Sequence, residues 1–378
     1  MCEGRAGKMP FLLIVDSSQE RERYSCVTLT GGFDMETPSR SVTVVGAGAI
    51  GGVTAAFLKK AGWNVKIVCK HQEIADRCAG PGIRVFGKKG EDHVRLRALK
   101  DIADLKGAED VVLLATKATD CVDAARELLP FLKDDSALVS LQNGICEQAL
   151  AEVVGRERVM GCVVGWGATM HGPGELEVTS DGEFVIGNID GKPDHRLQPA
   201  QDMLNTVMPT RISGNVMGEL YSKLIINSCI NSLGAITGLT LGKMLALKKV
   251  RNIFIELIRE MMAVAEAMDI TVEPGGGGKM DYYRFLAGAG RIADLKRHLT
   301  IRVIGFKYRR IKSSSLQSLE RGRITEIDFL NGYVCEQGRR LGVPTPLNEN
   351  VVAVIKGIES GERQITLDNL EDSAFAHF

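Results

Sequence analysis

At 378 residues, and with roughly 150 residues per domain, the chain has room for two or three domains and for a core that needs neither disulfides nor metal. Its 44% hydrophobic and 25% charged residues argue against wholesale disorder and against a multi-spanning membrane protein. Lys+Arg and Asp+Glu are equal at 47 each, and no basic block occurs. The charge pattern a nucleic-acid binder needs is therefore missing, and a small molecule is the expected ligand.

In chain order, the apolar run FLLIV at Phe11 to Val15 is too short to span a bilayer and lacks a cleavage-like site. Residues 1–40 read as a mobile N-terminal extension. From Ser41, short β-branched runs alternate with helical stretches: VTVV (42–45), VKIV (65–68), VVLLA (111–115) and ALVSL (137–141). That alternation implies βαβ units and a Rossmann-type, doubly wound parallel sheet over 41–213. Three shorter candidates, VMGCVVG, LEVT and EFVIG, read as its antiparallel finish.

Beyond Asn215 strand runs vanish, and amphipathic stretches at 216–233, 248–269, 289–311, 327–341 and 348–360 predict an all-helical second domain over 214–378. Gly275–Gly278 reads as a flexible connector, His171 as a loop residue, and Lys307–Lys312 as a solvated helix face. The apolar faces of these helices could support a homodimer, though no residue pattern demands one. Nine cysteines without a CxxC pair suit reduced thiols in a cytoplasmic protein. Six histidines without ligand spacing give no metal site.

The turn after the first strand reads Gly46-Ala47-Gly48-Ala49-Ile50-Gly51, and a helical run follows it. In that setting the glycines permit a tight turn, close approach to a pyrophosphate and helix-on-strand packing, with anion affinity from the helix N-terminus. The second strand ends in Cys69-Lys70-His71. A carboxylate there would bond a ribose 2′-OH; a lysine favours the 2′-phosphate of NADP, with Lys70 the contact unless it is simply solvated. Lys117 and Asn143 also follow predicted parallel strands, where ligands bind in open α/β sheets, although Asn-Gly is equally a common turn pair.

Lys223, Asn227 and Asn231 recur every four residues in a run rich in leucine and isoleucine, so they share one side of a largely buried helix. A buried lysine has a lowered pKa, which suits proton donation near neutrality; the alternative is a lysine paired with a structural carboxylate. Ser313–Ser315 suit helix capping, which can coexist with carboxylate binding. Glu326 and Asp328 point in different directions on a helix, and one of them could face Lys223.

Together GAGAIGG, TK, QNG, KLIINSCIN, SSSLQSLERGRITEIDFLNG and GVPTPLN resemble the ketopantoate reductase (2-dehydropantoate 2-reductase) family over roughly residues 42–360. The resemblance implies an N-terminal Rossmann domain, a helical C-terminal domain, and NADPH-dependent reduction of 2-dehydropantoate to pantoate on the way to coenzyme A. It implies Lys223 as proton donor, and Asn227, Asn231 and Ser314 as substrate contacts. Asn143 would touch both substrate and cofactor, with Gly46–Gly51, Lys70, Lys117, Gly167 and Glu326 along the NADP. Where the family can offer another asparagine this chain has Leu241, and SSSLQS replaces the usual SSMxQD at Ser315 and Ser318. These departures leave open a paralogous reductase of another 2-oxo acid; an NADPH-binding sensor without turnover is a further alternative, which would need no proton donor.

Overall fold

The computed structural model describes residues 41–376 and 378, so the expected extension at 1–40 lies outside the described residues. The described residues fall in one compact unit. Its first part alternates strands and helices: β1 (Ser41–Val45), α1 (Ala49–Lys60), β2 (Asn64–Val68), α2 (Gln72–Ala79), β3 (Ile83–Gly87), β4 (Asp92–Val94), β5 (Arg97–Leu99), β6 (Glu109–Leu114), α3 (Ala118–Leu128), β7 (Leu132–Ser140) and α4 (Glu147–Val154). It continues through β8 (Val159–Val164), β9 (Gly167–Gly172), β10 (Glu175–Ser180), β11 (Phe184–Asn188), α5 (Leu197–Asn205) and β12 (Thr210–Ile212). Only helices follow: α6 (Val216–Thr237), α7 (Leu241–Ala246), α8 (Lys248–Ala267), α9 (Gly275–Gly278), α10 (Tyr282–Leu286), α11 (Arg291–Lys307), α12 (Ser314–Glu320), α13 (Asn331–Leu341) and α14 (Pro346–Glu359).

The main sheet has the order β12-β11-β8-β7-β6-β1-β2-β5. Its central pairs are parallel, and β11 alone runs against its neighbour β8. Strands such as Val42–Val45 are buried throughout because helices cover both faces of a parallel sheet. Val53, Leu58 and Val139 pack on one face and Val45, Leu114 and Leu150 on the other, as the doubly wound reading requires. The antiparallel finish holds for EFVIG only. VMGCVVG runs parallel to β7, while LEVT joins a second sheet, β4-β3-β10-β9. Strands of three residues, β4 and β5, are too short to show a period.

The helix α6 ties the strand-bearing part to the helical part. Asn215 caps it by accepting the Gly218 N–H at 3.1 Å, and Gly238 ends it in the left-handed region at φ 69°. Leu224, Ile225, Cys229 and Leu233 face the helical core. At its other side, Gly161 on β8 and Gly187 on β11 leave the space Val216 fills: a Cβ at Gly187 would lie 2.9 Å from the Val216 Cβ. This close approach sets α6 against the carboxyl end of β8.

Three local expectations need correction. Gly275–Gly278 is a helical turn closed by two backbone bonds between Gly275 and Met280, at 2.8 and 3.0 Å, rather than a free connector. His171 lies in β9, stacked on Phe86 and bonded to Glu177 at 2.7 Å. Lys307 ends α11, so the rest of KYRRIK is exposed chain beyond the helix rather than a helix face.

Candidate functional site

Gly46 turns the chain out of β1 at φ 108°, where a Cβ would stand 2.6 Å from the Ala115 carbonyl carbon. A Cβ on Gly51 would fall 2.0 Å from the Gly46 oxygen, so helix and strand meet without side chains between them. Gly48, by contrast, is exposed with nothing within 4 Å of its would-be Cβ. It caps α1 without a side-chain hydrogen bond, and the first turn holds no acid. Ala47 is buried, while Ala49 and Ile50 are half-buried at the mouth. First-turn N–H groups that no side chain caps, an open approach and the helix dipole together fit a dinucleotide pyrophosphate.

At the end of β2, the Lys70 side chain is 80% exposed, with its Nζ 3.3 Å from Asp120 on α3. His71 beside it is exposed too. Lys117 is the exposed residue just before α3, after β6. Asn143 is exposed after β7, and Gly144 follows at φ 88°, where a Cβ would lie 2.5 Å from the Phe329 oxygen. The Asn-Gly turn therefore does pack as a turn, and in doing so it seats the segment that carries Glu326.

The Glu326 carboxylate lies toward the Ala118 N–H, the Asn143 side chain and the ammonium groups of Lys117 and Lys223. Burial raises its pKa, opposed by Lys117, the Ala118 N–H, Asn143 and Lys223. Asp328 turns outward to Lys356, 2.6 Å away. Of the two acids, Glu326 is the one facing Lys223.

Lys223 is half-buried on α6 and donates to the Val164 carbonyl at the end of β8, 2.9 Å away. Among the described residues it makes no ion pair. Burial lowers its pKa to about 8, against the opposing pull of Cys162, Glu326 and Glu147. An ammonium titrating there is charged at neutral pH and can give up its proton readily.

Asn227 and Asn231, both half-buried, stand one and two turns further along. Ser313 donates to the Asn231 carbonyl at 3.4 Å and caps α12 through the Leu316 N–H at 3.2 Å. Ser314 is thus the exposed first residue of α12, beside the far end of the stripe. Eight residues separate Asn231 from Lys223, about 12 Å of helix. Gly167 opens β9, three residues past Val164. The structure gathers Lys117, Asn143, Lys223 and Glu326, while Lys70 lies off at the second strand and Ser314 at the far end of α6.

Two residues near this site escaped the sequence reading. Glu147 is 1% exposed in the first turn of α4, where its Oε2 accepts the Cys146 N–H at 3.0 Å. Burial pushes its carboxyl up to about 7, although the Ser140 hydroxyl and Lys223 favour the ion. Acids are ordinary at a helix start, and nothing in the pattern marks this one as buried. Asp120, partner of Lys70, is the other. Two surface depressions, of about 460 and 500 Å³, lie elsewhere: the first beside α2, the second along α8.

Residues 42–191 match the family model described as "Ketopantoate reductase PanE/ApbA", and residues 215–359 its C-terminal counterpart. A 2-dehydropantoate 2-reductase of Mesorhizobium japonicum is 29% identical over 83% of this chain and 96% of its own length. One from Aquifex aeolicus is 26% identical over 87% and 98%. Among solved structures, a PanE/ApbA family ketopantoate reductase from Ralstonia eutropha is similar with TM-score 0.72 and 29% identity, over 86% of this chain and all of that one. A D-mandelate dehydrogenase bound to NADH and anilino(oxo)acetate shares the fold at TM-score 0.72 and 19% identity, over 85% of this chain and 98% of that one. The protein is an α/β oxidoreductase with a helical C-terminal part. It belongs to the ketopantoate reductase family.

Proposed function

We propose that this enzyme reduces 2-dehydropantoate to pantoate with NADPH, in pantothenate and coenzyme A biosynthesis in the cytoplasm. The observation that carries the reading is Lys223, a half-buried lysine of lowered pKa fixed on Val164 opposite Glu326 and Asn143. In this reading 41–213 is the cofactor domain and 214–378 the substrate domain.

The residues divide the work by chemistry. Gly46, Ala47, Gly48, Ala49, Ile50 and Gly51 hold the pyrophosphate on α1, with Lys117 and Gly167 along the cofactor. Lys70 takes the 2′-phosphate; no carboxylate ends β2 to bond a free ribose hydroxyl, which supports NADP over NAD. Held by these residues, NADPH would supply the hydride for the C2 carbonyl. Lys223 gives its proton to the oxygen where negative charge develops, and its ammonium stabilises that charge beforehand. Asn227 and Asn231 donate to substrate oxygens, and Ser314 takes the substrate carboxylate. Asn143, beside Glu326, bridges cofactor and substrate.

A second reading keeps the chemistry and changes the substrate to another 2-oxo acid. It is favoured by Leu241, 3% exposed in the helical core, and by Ser315, 5% exposed, at positions where the family pattern differs. Initial rates of NADPH oxidation with 2-dehydropantoate beside a panel of 2-oxo acids separate the two. A kcat/KM of about 10⁴ M⁻¹s⁻¹ or higher for 2-dehydropantoate, above the rest of the panel, supports the first reading. A better rate with another 2-oxo acid supports the second. No turnover of any panel member rejects both.

A further inference from the structure

The strands β2, β1 and β6 lie side by side and run parallel, so the segments that leave β2 and β6 flank the glycine turn that leaves β1. An ion pair joins those two segments. Lys70, just past β2, sets its Nζ 3.3 Å from Oδ2 of Asp120, in the first turn of α3. Oδ1 of the same carboxylate accepts from the Thr119 hydroxyl at 3.0 Å, and the Asp120 N–H donates to the Lys117 carbonyl at 3.0 Å. Its own helix turn thus holds the carboxylate toward Lys70, with 46% of the Asp120 side chain exposed against 80% for the lysine.

In dinucleotide-binding sheets the carboxylate that accepts from the adenosine ribose stands at the end of the second strand. Cys69, Lys70 and His71 occupy that stretch here, and none is an acid. The ion pair nevertheless brings a carboxylate to the same place from α3, one strand further across the sheet. A ribose 2′-OH can donate to it, whereas a 2′-phosphate is repelled by it and has to draw Lys70 away. An exposed pair of this kind is weak and screened, so the lysine is free to exchange Asp120 for a phosphate.

We propose that Asp120 sets the cofactor selectivity of this enzyme, accepting from the ribose hydroxyl of NADH and opposing the 2′-phosphate of NADPH. The inference rests on the assignment of Lys70 to that phosphate and deepens it. Lys70 and Asp120 pull the same ribose position in opposite directions, so the chain takes both cofactors and its preference for NADPH is narrowed. A surface ion pair with no role in binding would instead affect the two cofactors alike.

Fluorescence titration of the full chain with NADPH and with NADH, at low salt, tests this for the wild type, Asp120→Ala and Asp120→Asn. The wild type is expected to bind both cofactors. Both variants are expected to bind NADPH about fivefold more tightly, a gain that shrinks as salt is raised. Asp120→Ala is expected to bind NADH about fivefold more weakly, and Asp120→Asn, which keeps an acceptor without the charge, to retain most of that affinity. Dissociation constants that move by the same factor for both cofactors, or that do not move, overturn the proposal, as does a wild type that binds NADPH and no NADH. A wild type that oxidises NADPH with 2-dehydropantoate while the variants leave the NADPH to NADH ratio unmoved overturns the role of Asp120 alone. A wild type that binds neither cofactor overturns the reductase reading and this inference with it.

Discussion

Glu147→Gln removes a buried charge while keeping a side chain of the same shape that can still accept the Cys146 N–H. A carboxyl raised from 4.5 to about 7 disfavours its ionised form by about 3 kcal/mol, at 1.36 kcal/mol per pH unit. The folded protein keeps this proton between those pH values while the unfolded chain has lost it. Folding stability therefore falls as pH rises through that window and stays lower above it. The glutamine variant lacks this loss. Urea unfolding followed by circular dichroism should give nearly equal stabilities for the two proteins at about pH 4 and a variant more stable by about 3 kcal/mol at about pH 8. The same change withdraws a negative charge from Lys223, so the alkaline limb of kcat/KM should move to lower pH. Stabilities that differ by a constant amount from acid to alkaline pH would refute the reasoning.

Further outcomes follow from the cofactor side and from the Asn-Gly turn. Lys70→Glu should weaken NADPH binding and leave NADH binding unchanged, read by fluorescence titration; equal loss for both would remove Lys70 from the 2′-phosphate site. Gly144→Ala should lower the melting temperature and the reductase rate together. It forces a side chain to φ 88° with a Cβ 2.5 Å from the Phe329 oxygen, beside the segment carrying Glu326. An unchanged melt would mean the turn relaxes without cost.

What could be read from the sequence was what short-range chemistry imposes. The glycines at 46 and 51 are legible because backbone meets backbone there and no other residue fits. The stripe of Lys223, Asn227 and Asn231 is legible because polar residues at helical spacing stand out against leucine and isoleucine. The second sheet was not, since β3 and β10 pair across almost a hundred residues and β4 is too short to show a period. Spacing could say that Glu326 or Asp328 faces Lys223, but not which; Lys356 decides it by drawing Asp328 outward. Glu147 stayed hidden because nothing in its neighbours in sequence marks it as buried; its burial comes with the folded packing of the chain.

The most direct test of the central claim is the pH dependence of the reductase rate for the wild type and Lys223→Ala. With Lys223 as proton donor titrating at about 8, the wild-type rate holds at neutral pH and falls above that value. The alanine variant loses about 10²-fold or more in kcat with NADPH affinity unchanged, and its alkaline limb disappears. A variant with the wild-type rate, or a slower one that keeps the same alkaline limb, would contradict the account.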